Sequence, residues 1–307
     1  MVQETAAVAQ ASVEKFNAGE VIIGHVSNSS LEHPLIHLPK VFGLDLSVTK
    51  HVFMLWLVAA IVFVVVTAIV RRSIRRNQLV PAGAMNGLEV IVDFVQDGIV
   101  RPNVGDRWTA MWTPLLLTLF LFILFANTIG LVPIFDTLAL LDRWVLHTSE
   151  GSFVKHLLHG GSTATGNYNV TAGLAVVSFF AIITAGTRAH GFVTHWKNLV
   201  PKGLPWPLYI LLIPMEIVGM FVRPFALTMR LAANMTGGHI AILAILSFVF
   251  LFAEMGGALA GVGAGVIASV PLAVGISALE IIVVLVQAYV FTLLTAVFIG
   301  MAIHVHH

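Results

Sequence analysis

Arg230 stands inside Phe221–Leu251, a stretch that otherwise reads as membrane: FVRPFALTMRLAANMTGGHIAILAILSFVFL. On a helix turning roughly 100° per residue, Arg223, Asn234 and Glu216 all fall within roughly 40° of Arg230, and His239 falls on the opposite side. Further along, SALEIIVVLVQAYVFTLL places Glu280 and Gln287 seven residues apart, nearly one above the other on a second apolar helix. A charge at the centre of a bilayer costs roughly 2.5–3.5 kcal/mol on the mildest scale, so such a residue normally faces a cavity or a partner and marks an ion or substrate path.

The residue types divide the chemistry. Arginine cannot be deprotonated in a protein, so Arg230 can only be a fixed positive charge that attracts a mobile carboxylate and repels passing protons. Glutamate and histidine take up and release protons, and Glu216, His239 and Glu280 are of that kind. A permanent charge set among titratable relays suits a proton path with a barrier in the middle.

Plainer readings stand beside this one. Arg230 could be neutralised by Glu216 or Glu280 as a structural tether, but Glu216 lies fourteen residues away. That is about 21 Å along a helix, too far for direct pairing. Arg223, near a helix start and before Pro224, reads as a residue that snorkels to the interface. Asn234 and Gln287 could be interhelical hydrogen-bond glue. Their association with Arg230 favours the functional reading.

The elements that must hold these residues follow from composition. Of 307 residues, 58% are hydrophobic and 10% charged, against about 25% charged in a soluble domain. The chain is expected to be an all-α polytopic membrane protein, with about five membrane-crossing helices and one amphipathic interfacial helix. Cysteine is absent, which excludes disulfides, thiol chemistry and Cys-based metal sites. A net charge of +1 gives no reason to expect a nucleic-acid partner. The N-terminus has neither the basic start and apolar core of a signal peptide nor the arginines of a transit peptide. A bacterial plasma (inner) membrane is the expected home.

Residues 1–50 read as an extramembrane N-terminal segment and residues 51–307 as a single membrane domain. The apolar run 51–70 is followed at once by Arg71, Arg72, Arg75 and Arg76, a cluster that stays cytoplasmic and puts the N-terminus in the periplasm and the C-terminus in the cytoplasm. In 84–100, Leu88, Ile91, Val92, Val95 and Ile99 share a stripe while Glu89, Asp93, Gln96 and Asp97 fall elsewhere, which predicts the interfacial helix. Spans are expected at 108–134 and 170–187, separated by a polar periplasmic loop at 135–168. Residues 206–253 and 266–303 are two long apolar stretches split by GGALAGVGAGVIAS. At 1.5 Å per residue each would run to roughly 60–70 Å, against a hydrocarbon core of about 30 Å. Each must break into two spans or lie strongly tilted, and a tilted hairpin over 206–303 is the expectation. GVGAG reads as close helix packing rather than a dinucleotide loop.

These same residues carry a family resemblance. RPFALTMRLAANMTGGHIAI, with LEIIVVLVQAYVFTLLTAVF downstream, resembles the signature of the a subunit of F-type ATP synthases. Asn127 and the following TIGLVP resemble that family's NxxGLxP, and GNYNVTAGLAVVSFF its fourth-helix entrance. The resemblance runs from about 51 to 303. It implies that Arg230 faces the c-ring carboxylate, with Asn234 and Gln287 beside it. It also implies Glu216 at a cytoplasmic half-channel and His239 with Glu280 at a periplasmic one, a pair found in the reverse order in many bacterial members. By the same resemblance the hairpin lies along the c-ring, and the partners are c-ring subunits, b-type peripheral stalk subunits and the other F0F1 subunits. No cofactor is implied, and the chain would not be catalytic alone.

Two rival classes predict other features. A stand-alone secondary transporter or channel binding an anionic substrate at Arg230 predicts repeats with broken helices in both halves, and the sequence shows neither. A haem or metal protein needs paired helical histidines, and His239 is the one histidine deep in the last two stretches. His304, His306 and His307 read as a solvated tail.

Overall fold

The computed structural model describes residues 47–76, 80, 82–131, 164–197 and 205–304, with isolated positions at 19, 22 and 23. Most of the expected N-terminal segment, nearly all of the loop 135–168 and the last three residues lie outside them. The described residues are helical, without a strand. Five helices are long and apolar enough to cross a membrane: His51–Arg75, Asp106–Leu131, Tyr168–His190, Pro207–Gly256 and Ala258–Ile303. The protein is an all-α polytopic membrane protein.

Helix α1, Lys50–Arg75, is apolar until its last two turns, where Arg71, Arg72 and Arg75 precede the C-cap Arg76. Cations there also complement the negative end of the helix dipole. Helix α2, Ala84–Val95, partly buries Leu88, Ile91 and Val92 and leaves Glu89 and Asp93 exposed. The helix expected over 84–100 is present and runs on to Val104: α2 widens into a π-turn at Gln96–Val100, and one α-turn, Arg101–Val104, follows. The wider turn lets the consecutive Ile99 and Val100 both point inward, and both are fully buried.

Helix α3, Asp106–Leu131, contains Pro114, which removes one backbone donor. Thr109, Thr113, Thr118 and Thr128 each donate a hydroxyl to the carbonyl four residues earlier. Hydrocarbon offers no water, so this back-bonding is the nearest way to satisfy them.

The polar loop ends earlier than expected. Ala164–Gly166 forms a 3-10 turn with Ala164 and Thr165 buried, and α4 runs from Tyr168 to His190, longer at both ends than 170–187. Asn167 fixes that start by accepting the Asn169 N–H at 2.8 Å, as an N-cap does. Gly191, at φ +83°, ends α4, and the short α5, Phe192–Lys197, buries His195.

The final stretches are helix α6, Trp206–Gly256, and helix α7, Ala258–Ile303. The expected Gly/Ala-rich break over 256–269 shrinks to one residue, Gly257, at φ +82°. The rest of the segment is helix, with a π-turn at Gly265–Ser269. Small side chains do not break a helix whose backbone must bond to itself in lipid. At 1.5 Å per residue, α6 is about 76 Å long.

The described residues form two compact units. One contains Gly237–Glu280, and the other Asn28–Thr236 with Ile281–His307. In the first, Gly261 lies against Ala253 and the Val249 carbonyl, where a Cβ would collide. Gly265 sits over Val249, so glycines let the two arms near Gly257 approach closely. In the second, the core joins Val95, Ile99 and Val100 to Leu116 and Ile123 of α3, Ala185 of α4, Leu231 of α6 and Phe291 and Ile299 of α7. Gly300 packs directly on the Asn103 carbonyl, leaving no room for a Cβ.

Candidate functional site

Among the described residues Arg230 has no ion-pair partner, and its neighbours on α6 set its direction. Leu227, Leu231 and Met235 are buried, which turns Arg230 onto the uncovered side, where it is exposed. No carboxylate of the described residues lies within ion-pair distance of it. One turn on, the Asn234 Nδ2 donates to Gln287 Oε1 at 2.9 Å. Gln287 is 4% exposed. The bond therefore runs from the surface beside Arg230 into the interior, and it fixes which way both amides point.

Glu216 has a partner that spacing alone assigns otherwise. Arg223 donates to Glu216 Oε1 at 3.3 Å, and its guanidinium lies 5.4 Å from the Phe298 ring centre. Beyond the snorkelling read for Arg223, the structure gives it these two contacts. Its positive charge is met by Glu216 and by an aromatic face. Two long side chains bridge the two helical turns between these positions.

His239 and Glu280 meet in the other unit. The His239 Nδ1 lies 3.3 Å from Glu280 Oε1, and the carboxylate side chain is 4% exposed. Neither Glu280 oxygen accepts a hydrogen bond among the described residues. A buried carboxyl group needs a close polar partner, and the His239 imidazole stands in that place. Gly238 makes the room, since a Cβ there would run into the Glu280 carboxylate. Sequence reasoning does not single out Gly238, although a Gly-Gly pair directly before His239 is the available signal.

Asn127, already marked by its motif, has polar partners that sequence reasoning does not name. Asn127 is fully buried in the last turns of α3, and its Oδ1 accepts the Thr165 hydroxyl at 2.6 Å. The Thr236 hydroxyl, on α6, donates to the Gly166 carbonyl at 3.3 Å. The turn Ala164–Gly166 is therefore tied to α3 on one side and to α6 on the other. Thr165 falls in a stretch that composition alone marks as loop.

The six residues singled out by spacing thus form two sets by unit. Arg230, Asn234, Gln287 and Glu216 lie in one unit and His239 with Glu280 in the other. Direct contacts join Asn234 to Gln287 and His239 to Glu280, and Glu216 to the unforeseen Arg223.

Known proteins resemble this chain along nearly its whole length. Residues 52–300 match the family described as "ATP synthase A chain". "ATP synthase subunit a 2" of Chlorobium luteolum is 40% identical over 97% of this chain and 80% of its own length. The protein of that name from Prosthecochloris aestuarii is 37% identical over 97% of this chain and 83% of its own length. "ATP synthase subunit a" of Chloroherpeton thalassium is 39% identical over 88% of this chain and 71% of its own length.

Proposed function

This chain belongs to the ATP synthase A chain family, and on that premise we propose that it carries protons to and from the rotating c-ring of an F-type synthase. Arg230 is the fixed charge that meets the ring carboxylate. It holds that carboxylate deprotonated as it passes and blocks a direct leak between the two proton paths. One observation chiefly supports this: Arg230 is exposed, with no carboxylate of the described residues near it. An intramembrane arginine without an internal counter-ion fits a partner on another subunit.

The proton steps are then assigned to the remaining residues. A proton from the periplasm passes by His239 and Glu280 to the ring carboxylate, which becomes neutral and moves into lipid. After almost a full turn it reaches the second path, near Glu216, and releases its proton to the cytoplasm. Asn234 and Gln287 flank the arginine and present fixed dipoles where the ring carboxylate changes state. One charge crossing about 100 mV supplies about 2.3 kcal/mol, so several translocations are summed per ATP made elsewhere in the complex. Helices α6 and α7, each well over twice as long as the hydrocarbon is thick, lie tilted along the ring.

The test is Arg230→Ala in the assembled complex, reconstituted into vesicles. ATP-driven proton pumping is expected to vanish while passive proton leak rises. Retained coupled pumping would overturn the assignment.

A further inference from the structure

We propose that the cavity between the end of α1 and the start of α2 binds a phosphate group, supplied by an anionic phospholipid of the leaflet it faces. The cavity holds about 340 Å³. Arg72, Ser73 and Arg76 line one wall, Gly83 and Ala84 the other, and Ile69 continues the lining up the apolar part of α1. Arg72 and Arg76 are one turn apart and so share a helix face.

Three features point to an anion. None of Arg71, Arg72, Arg75 and Arg76 has a carboxylate within ion-pair distance among the described residues. Two arginines line one cavity, and guanidinium groups are suited to phosphate oxygens. Across the cavity, α2 begins at Gly83 with no side-chain cap and no acidic residue in its first turn. Among the described residues its first N–H groups thus have no side-chain cap, and the helix start adds positive potential to the same cavity.

The apolar side selects lipid over a free ion. Ile69 belongs to a membrane-crossing helix, so a bound headgroup leaves an acyl chain free to run along α1. Orientation of the chain in the membrane requires positive charges after a span but requires neither a cavity nor an uncapped helix facing them. A second, more open cavity of about 590 Å³ is lined by all four arginines and provides general attraction to an anionic surface.

The two cavities make different predictions. In the intact synthase in detergent, native mass spectrometry would compare retention of phosphatidylglycerol and phosphatidylcholine, with inorganic phosphate as a separate probe. The variants are Arg72→Gln/Arg76→Gln and Arg71→Gln/Arg75→Gln. Each keeps two arginines, so the charge bias that sets topology is equal in both. Wild type is expected to retain phosphatidylglycerol selectively, and the 72/76 variant to lose about tenfold or more while the 71/75 variant retains it. Retention of inorganic phosphate but not of phosphatidylglycerol, abolished in the 72/76 variant, would overturn the lipid source and leave a free-anion site. Equal loss in both variants, or equal retention of phosphatidylcholine, would overturn the site.

Discussion

Gly238 decides how close the Glu280 carboxyl group can come to α6, because a Cβ at that position would occupy the space the carboxylate fills. Gly238→Ala must therefore push Glu280 out of its contact with His239. At Gly237 a Cβ would meet nothing within 4 Å, so Gly237→Ala serves as the control with the same gain in helix propensity. Displacements of about 1 Å at such sites can cost a hundredfold in rate. ATP-driven proton pumping is expected to fall by about tenfold or more in Gly238→Ala and by little in Gly237→Ala. Equal effects would mean that Glu280 does not depend on this cradle. Arg230, Asn234, Gln287, Glu216, His239 and Glu280 are legible in the sequence because a polar side chain stands out in an apolar run. Gly238 and Thr165 are not, since a small or uncharged residue stands out only through what it touches. The Arg223–Glu216 contact is hidden differently. Seven residues on a helix span about 10 Å of rise, and only the side-chain conformations show that two long residues cover it.

At the scale of elements, α5 couples to pH. His195 is buried against Gly186, whose missing Cβ leaves space for the ring. Burial, and to a lesser degree the neighbouring His190, hold its pKa below the ordinary value of 6.5. The opened form of this segment therefore binds a proton more readily than the docked form. Docking is at full strength above about 6.5 and is lost as pH falls through the lowered folded value. Amide-exchange protection of Phe192–Lys197, corrected for the intrinsic pH dependence of exchange, is expected to drop between about pH 7.5 and 5. In His195→Gln the protection should change little across that range. A wild-type profile as flat as the variant's would contradict this. Hydropathy marks α1, α3 and α4 because long apolar runs have few alternatives in lipid. It misses the π-turns and the single-residue break at Gly257, since backbone hydrogen-bond register leaves no trace in hydropathy. The Gly/Ala-rich composition of 256–269 points to a connection, whereas the glycines mostly serve helix contact.

For the whole molecule, the number of crossings is legible because hydrophobic length is the dominant constraint in a bilayer. What hydropathy leaves open is whether the last two apolar stretches break, and backbone continuity answers it with α6 and α7. Most of the surface of these helices is apolar and suits either lipid or another protein. The exposed Arg230 does not suit lipid, and this has a consequence for the life of the chain before it meets its partners. A copy made alone carries an uncompensated charge worth roughly 2.5–3.5 kcal/mol against stable residence in the membrane. If the ring meets Arg230 as proposed, such an orphan is a target for membrane proteolysis and assembly removes the mark. In pulse–chase labelling, the chain expressed without its partners is expected to decay several times faster than the assembled chain. Arg230→Leu should lengthen the orphan's half-life while leaving the complex unable to pump, and an unchanged half-life would contradict the idea. The residue proposed to couple proton flow would then also set the supply, since surplus copies would be cleared until their number matches the rings available.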